Sequence, residues 1–118
     1  MSKIDDQARL KHMLDAASKI EQYVQDETRE SLEQDERLAL AIVRLIEILG
    51  EAASRVSKET QLRQSEIPWK EIIGMRNRIV HAYFDIDYDI VWETAKSNIP
   101  SLKSLLESLL KPEDYKLS

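Results

Sequence analysis

The segment from Arg76 to Tyr83 places a fixed cation, an imidazole and a phenol within eight residues. Histidine titrates near neutrality, so His81 can take or give a proton when a ribose 2′-hydroxyl attacks a phosphodiester. Arg76 stays protonated and can hold phosphate oxygens through paired hydrogen bonds. Tyr83 can donate a hydrogen bond to a phosphate or stack on a base. The set fits RNA cleavage without a metal ion, but the spacing of Arg76 and His81 alone is common by chance. Taken singly, His81 is equally compatible with a capping or core-edge histidine, Arg76 with a surface or ion-paired arginine, and Tyr83 with a packing tyrosine.

The geometry of the segment leaves three arrangements open. A regular helix turns about 100° per residue, so Arg76 and Tyr83, seven residues apart, share a face. Arg76 and His81 are five residues apart and therefore point about 140° away from each other. Either the helix is distorted or ends near His81, or the long arginine side chain wraps around it. In the third arrangement, two copies of the segment meet across a dimer axis.

The composition limits the classes of protein that the chain can belong to. Its 118 residues are 42% hydrophobic and 33% charged, which predicts one domain spanning 1–118. There is no cysteine, and His12 and His81 are the two histidines, so we expect no disulfide, metal or cofactor. Because the net charge is −5, any binding of nucleic acid must come from a local cationic cleft.

The same sequence contains neither a membrane span nor a signal-peptide pattern. No apolar run approaches the length that a membrane span needs. The segment Met1–Asp6 lacks the apolar core of a signal peptide. We therefore expect a cytoplasmic protein that makes no membrane contact.

Apolar residues recur at three- and four-residue steps and predict long helices. The first helix is predicted to begin near Ser2 and to carry one apolar stripe, formed by Leu10, Met13, Leu14, Ala17, Ile20 and Val24. The second helix is predicted from about Asp35 to Ser57 and is apolar over a wide arc. Such an arc is typical of a helix that is central in a bundle or that faces both a core and a partner chain. The polar segment 25–34 is either a loop or an extension of a neighbouring helix.

A polar connector is predicted over 58–66, and Pro68 then suits the first position of a third helix. This helix carries Arg76 and is predicted to end between His81 and Phe84. A fourth helix is predicted from about 87 to 110, and Pro100 within it should kink or split it. The chain has only two glycines and three prolines, which argues against a β-rich fold. We predict an all-α, up-and-down bundle of four to five helices with its last helix kinked at Pro100.

Two features of the second helix have more than one interpretation. Arg44, Glu51 and Arg55 lie roughly on one side of it, Glu51 and Arg55 being an i,i+4 pair. This row is either a set of surface ion pairs or the border of a catalytic cleft. Gly50 lies inside the helix, where glycine costs about 1 kcal/mol relative to alanine. A close crossing with another helix would explain it.

The wider string around the motif resembles a known family. Residues 67–84 read IPWKEIIGMRNRIVHAYF and are followed by Asp87 and by Ile90-Val91-Trp92. This string closely resembles the HepT-like HEPN family, the toxin partners of HepT–MntA toxin–antitoxin pairs. The upstream segment Ile48-Leu49-Gly50-Glu51-Ala52-Ala53 resembles the second-helix signature of that family. The resemblance covers nearly the whole chain, and Arg76, His81 and Tyr83 match its Arg-x₄-His-x-Tyr motif.

The resemblance implies a HEPN-like helical bundle and a homodimer whose two motifs converge at the interface. It implies a metal-independent endoribonuclease toxin of a type VII-like system, with Arg76 and His81 at the catalytic positions. Asn77 takes the polar position after the arginine. Arg78 is not assigned by the resemblance; from its charge, it either adds positive charge for binding the RNA substrate or is a solvated surface residue. Tyr83 matches the tyrosine that an MntA-like nucleotidyltransferase antitoxin modifies with AMP, which would block RNA.

Two other classes of function are compatible with the same residues. The chain could be a non-catalytic subunit that binds nucleotide or RNA for a minimal nucleotidyltransferase, with the motif holding a phosphate group. It could also be a plain helical dimerisation module, which would leave Arg76, His81 and Tyr83 without a purpose. Because all three reactive side chains are present, the sequence favours the ribonuclease.

Overall fold

The computed structural model describes residues 3–80 and 85–110, and these residues are almost entirely helical. They form α1 (Lys3–Val24), α2 (Arg29–Gln34), α3 (Glu36–Ser54), α4 (Lys58–Arg63), α5 (Trp69–Ile79), α6 (Tyr88–Glu93) and α7 (Ile99–Leu109). A π-helical turn, Thr94–Asn98, joins α6 to α7. The predicted all-α, HEPN-like bundle is confirmed. No helix within these ranges is long and apolar enough to cross a membrane.

The core lies where α3 meets its neighbours. The whole predicted stripe of α1 is buried, and α1 packs against both α3 and α7. The buried residues of α3 occupy a wide arc, and this helix also contacts α2, α5 and α6. The prediction that the second helix is central is therefore confirmed.

Two short helices lie in segments that have no clear helical pattern in the sequence. Segment 25–34 contains the separate helix α2, whose first turn is closed by a capping box between Thr28 and Ser31. The prediction of a polar connector over 58–66 was wrong, since α4 lies there and Ser57 caps its first turn. Both helices are too short to show periodicity, so their caps and tertiary contacts stabilise them.

The end of α5 and the last helical segment also differ from the prediction. Pro68 is the cap of α5 rather than its first helical residue, and α5 ends at Ile79 instead of continuing to 81–84. The irregularity at Pro100 is confirmed and takes the form of the preceding π-helical turn, in which the N–H of Ile99 donates to the carbonyl of Thr94. The wider turn relieves the clash between a proline ring and the carbonyl four residues earlier.

Gly50 allows α3 and α5 to cross closely. A Cβ atom built on Gly50 would lie 3.0 Å from the carbonyl oxygen of Ile72 and 3.6 Å from the Cα of Ile73. These are backbone atoms of α5, which cannot move without shifting the helix. The predicted close crossing at Gly50 is confirmed.

A buried carboxylate fixes α4 to the start of α1. Asp6 accepts hydrogen bonds from the N–H and hydroxyl of Ser57, at 2.9 and 2.6 Å, and from the hydroxyl of Thr60. Burial alone raises the pKa of the Asp6 carboxyl, but the hydrogen bonds from Ser57 and Thr60 outweigh it and lower the pKa below its usual value. The ionised form of Asp6 is therefore the one that stabilises the fold.

The two glycines in helices provide a matched test of the crossing. We expect Gly50→Ala to lower the free energy of unfolding by about 1–2 kcal/mol, because overpacking exceeds the gain of about 1 kcal/mol in helix propensity. Gly74→Ala should raise it by up to about 1 kcal/mol, since a Cβ there would meet nothing within 4 Å. Urea unfolding of both variants measures the difference. Equal stabilisation by the two alanines would contradict a tight crossing.

The anchor at Asp6 predicts a pH-dependent loss of stability. We expect Asp6→Asn to lower the free energy of unfolding at pH 7 by about 1–3 kcal/mol, because the amide keeps only one of the two buried oxygens that together accept three hydrogen bonds and replaces the other with an NH2 donor. Since the folded pKa is lowered, the wild-type advantage is complete above about pH 4 and is lost as the pH falls through the folded pKa.

Urea midpoints at pH 7, 5 and 3 measure this loss. Asp15→Asn is the control, because Asp15 is exposed on the same helix. It should change the free energy of unfolding by less than about 0.5 kcal/mol. A gap between wild type and Asp6→Asn that stays constant down to pH 3 would show that Asp6 does not act through its charge.

Candidate functional site

The helix α5 carries the arginine of the motif in its last turn. Trp69, Ile72, Met75 and Ile79 recur at three- and four-residue steps and are buried against the bundle. Val80 is extended, with φ −108° and ψ 109°, and its N–H donates to the carbonyl of Arg76 at 3.0 Å. The helix thus stops before His81.

Glu47 of α3 contacts the side chain of Arg76. The Nε of Arg76 donates to the Oε2 of Glu47 at 2.8 Å. The other carboxylate oxygen of Glu47 accepts from Arg44 at 3.4 Å. The side chain of Arg76 is 49% exposed and that of Glu47 is 29% exposed. The arginine is therefore attached to the scaffold at one edge of its guanidinium while half of its side-chain surface faces solvent.

The predicted supporting residues lie on different flanks of α5. Arg78 lines a groove of about 500 Å³ together with Ser97, Asn98 and Ser101, on the flank that faces the π-helical turn and α7. Arg76 lies on the opposite flank, against α3. Asn77 is exposed between them. The structure thus separates the two arginines of the motif rather than grouping them.

His81 and Tyr83 lie outside the described residues, as do Ala82 and Phe84. The residues on either side of 81–84 are held together. Val80 pairs with Ile86 in an antiparallel bridge, and the N–H of Asp87 donates to the carbonyl of Ile79 at 2.8 Å. The chain therefore leaves α5 and returns to the bundle at neighbouring points.

The first turn of α6 fixes the point of return. The carboxylate of Asp87 accepts from the N–H of Ile90 and caps α6. Arg29 of α2 donates to Asp89 and to Glu33, and these hydrogen bonds raise the pKa of its guanidinium above the usual value. Sequence analysis did not identify Arg29, because its contact with Asp89 joins distant parts of the chain.

The polar row on α3 divides into two ion pairs. Arg55 donates to Glu51 at 3.2 Å, and this pair lines a shallow pocket with Arg9 and His12.

Arg44 instead donates to Glu47, which also accepts from Arg76. The Arg44 end of the row therefore borders the motif. The interruption of the apolar arc by Glu47 was the available signal, but its partner on α5 was not predictable from spacing.

Arg76 and His81 have side chains that can bind a phosphate and transfer a proton. Arg76 offers a permanent positive charge, and the sequence places His81 five residues after it. Residues 3–80 and 85–110 contain no cluster of three or more His, Cys, Asp or Glu side chains suited to a metal ion. The absence of a metal from the reaction stays a prediction.

Comparisons with known proteins agree with the motif. The family model described as ribonuclease HepT-like matches residues 13–109. A provisionally named RNase of Caldanaerobacter subterraneus subsp. tengcongensis is 38% identical over 88% of this chain and 93% of its own length. A protein of Thermococcus cleftensis named probable ribonuclease HepT is 35% identical, over 86% of this chain and 93% of its own length.

A third relative, a provisionally named RNase of Methanocaldococcus jannaschii, is 34% identical over 98% of this chain and 100% of its own length. No solved structure matches the chain significantly. The family model covers most of the sequence and includes α5 and the residues that follow it. Together with the Arg76, His81 and Tyr83 motif on a helical bundle, this match shows that the chain belongs to the ribonuclease HepT-like family.

Proposed function

We propose that the protein is a metal-independent endoribonuclease in which Arg76 and His81 act on the scissile phosphate. The observation that carries this proposal is the placement of Arg76. It lies in the last turn of α5, half exposed and attached to α3 by one edge of its guanidinium, five residues before His81. Membership of a ribonuclease family supports the same assignment.

The proposed reaction needs only these two side chains and the substrate. His81 takes the proton of the 2′-hydroxyl as its oxygen attacks the phosphorus. Arg76 donates to the non-bridging oxygens, where negative charge grows in the transition state. The bond to the 5′ oxygen breaks, and that oxygen leaves with a proton from the His81 imidazolium. The products carry a 2′,3′-cyclic phosphate and a 5′-hydroxyl.

We further propose that this ribonuclease is a toxin that works as a homodimer. Two copies would place two motifs in one cleft, with Asn77 and Arg78 supporting the bound RNA. Such a cleft would concentrate positive charge locally on a chain whose net charge is −5. The proposed partner is an MntA-like nucleotidyltransferase antitoxin.

The antitoxin would act on Tyr83. The phenol oxygen of Tyr83 would attack the α-phosphate of ATP, and pyrophosphate would leave. AMP would remain attached to Tyr83 through a phosphodiester. The added negative charge and bulk would repel and exclude RNA beside His81.

The two histidines of the chain provide a matched test of the nuclease. Purified wild type should cleave total RNA and tRNA in EDTA and leave 2′,3′-cyclic phosphate ends. His81→Ala should lower the rate at least about 10²-fold, because it removes the general acid–base group. His12→Ala should cleave like wild type, since His12 is exposed on α1. Product ends are identified by treatment with a phosphatase that opens cyclic phosphates.

If protein with unmodified mass cleaves no RNA in this assay, the nuclease is overturned. The chain would then be better described as a binding subunit of a nucleotidyltransferase. Equal cleavage by wild type and His81→Ala would instead show that the imidazole takes no part.

The modification is tested with a purified MntA-like nucleotidyltransferase and ATP. Wild type should gain the mass of AMP and lose RNA cleavage, whereas Tyr83→Phe should keep its cleavage and gain nothing. Tyr23→Phe is the control, because Tyr23 is an exposed tyrosine on α1, and it should be modified like wild type. Addition of AMP to Tyr83→Phe would place the modification elsewhere.

A further inference from the structure

The contact between Glu47 and Arg76 links the centre of the bundle to the proposed catalytic arginine. The two residues are 29 positions apart in the chain, and the hydrogen bond from Nε to Oε2 is 2.8 Å long. Arg44 contacts the other oxygen of the same carboxylate. With both oxygens engaged, the carboxylate of Glu47 has a defined orientation toward α5.

This contact uses only one edge of the guanidinium. Arginine has five N–H donors, and the four on its terminal nitrogens form the fork that binds phosphate oxygens in pairs. Among the described residues, no hydrogen bond is made by either terminal nitrogen of Arg76. Its Nε is fixed by Glu47, and its backbone carbonyl is held by the N–H of Val80. The side chain is therefore restrained at the helix and at Nε, while no residue within 3–80 and 85–110 binds its fork.

We propose that Glu47 is the positioning residue of the active site. It holds the Nε of Arg76 so that the paired terminal N–H groups face the scissile phosphate. The inference rests on the proposed ribonuclease function and adds a residue that lies outside the Arg-x₄-His-x-Tyr motif. Glu47 does not touch the RNA, and its effect on the reaction passes entirely through Arg76.

A surface ion pair without this role would behave differently. Half of the side-chain surface of Arg76 is exposed, and exposed pairs contribute little to stability. Misplacing a catalytic group by about 1 Å, in contrast, can lower a rate about 10²-fold. Loss of Glu47 should thus affect turnover far more than folding. Because removal of a negative charge favours the approach of RNA, the KM should stay constant or fall.

The kinetic test compares three variants at the same RNA concentration range. Glu47→Ala should lower kcat about 10–100-fold, without an increase in KM. Glu47→Gln keeps an oxygen that accepts from Nε, so it should retain most of the wild-type kcat. Glu59→Ala is the matched control, because Glu59 pairs with Arg63 on α4 at 2.9 Å. It should leave kcat unchanged, and all three variants should melt within about 4 °C of wild type.

A second substitution tests whether Glu47 acts through Arg76. In an Arg76→Lys background, which lacks both Nε and the fork, Glu47→Ala should lower kcat less than about 2-fold further. If the effects of Glu47→Ala and Arg76→Lys on kcat multiply in the double variant, Glu47 acts on something other than Arg76. An unchanged or increased kcat in Glu47→Ala alone would overturn the proposal. An increase would show that Glu47 competes with the phosphate for Arg76.

The Nε–H resonance of Arg76 gives a measurement that does not depend on catalysis. In ¹⁵N spectra, this resonance is assigned by its loss in Arg76→Lys. It should shift in Glu47→Ala and stay in place in Glu59→Ala. If wild type cleaves no RNA, the ribonuclease proposal fails. The role of Glu47 is then tested by comparing wild type with Glu47→Ala in two measurements, this resonance and the Kd for a 2′-O-methyl oligonucleotide. If the resonance does not shift in Glu47→Ala, the hydrogen bond between Arg76 and Glu47 itself is overturned.

Discussion

The close crossing of α3 and α5 at Gly50 is the constraint on which the proposed site depends. Without a side chain at this position, the backbone of Ile72 and Ile73 approaches α3 to contact distance. One turn before Gly50 on α3 lies Glu47, and one turn after Ile73 on α5 lies Arg76. The crossing thus sets the separation of the carboxylate and the guanidinium. A larger residue at Gly50 would move α5 as a whole, because helix backbones are stiff and the core is close-packed.

The elements around this crossing hold the two ends of the motif segment. The arginine end is fixed by α3, while the returning chain is fixed by the cap at Asp87 and by Arg29 of α2. Asp6 fixes α4 to α1, and Lys103 of α7 donates to Glu21 of α1. Polar contacts thus join both short and long helices to the rest of the bundle.

The acidic composition and the proposed RNA substrate are compatible because the charge is arranged locally. Several of the cations in the described residues are paired with a carboxylate, as Arg29, Arg55 and Arg63 are. Arg76 is also paired, but through Nε alone among the described contacts. A guanidinium held in this way keeps its bidentate edge, which a lysine in the same position could not offer. Orientation, more than the amount of positive charge, would then determine how a phosphate is bound.

Local patterns in the sequence were sufficient for much of the molecule. The periodic stripe of α1 predicted its buried residues, the wide apolar arc of α3 predicted its central place, and the irregularity at Pro100 followed from its missing N–H. The string 67–84 around the motif and the segment 48–53 indicated the family, which the comparisons confirmed. All of these signals depend on residues within a few turns of each other, where helix geometry fixes the spacing.

Tertiary structure alone decided the contacts between distant residues. The helices α2 and α4 were missed because their sequences are polar and short, and their stability comes from caps and from partners such as Asp6 and Asp89. The early end of α5 at Ile79 depends on the pairing of Val80 with Ile86. The role of Glu47 was hidden for the same reason. The sequence showed it as a polar interruption, but only the packing of α3 on α5 brings its carboxylate to Arg76, 29 residues away.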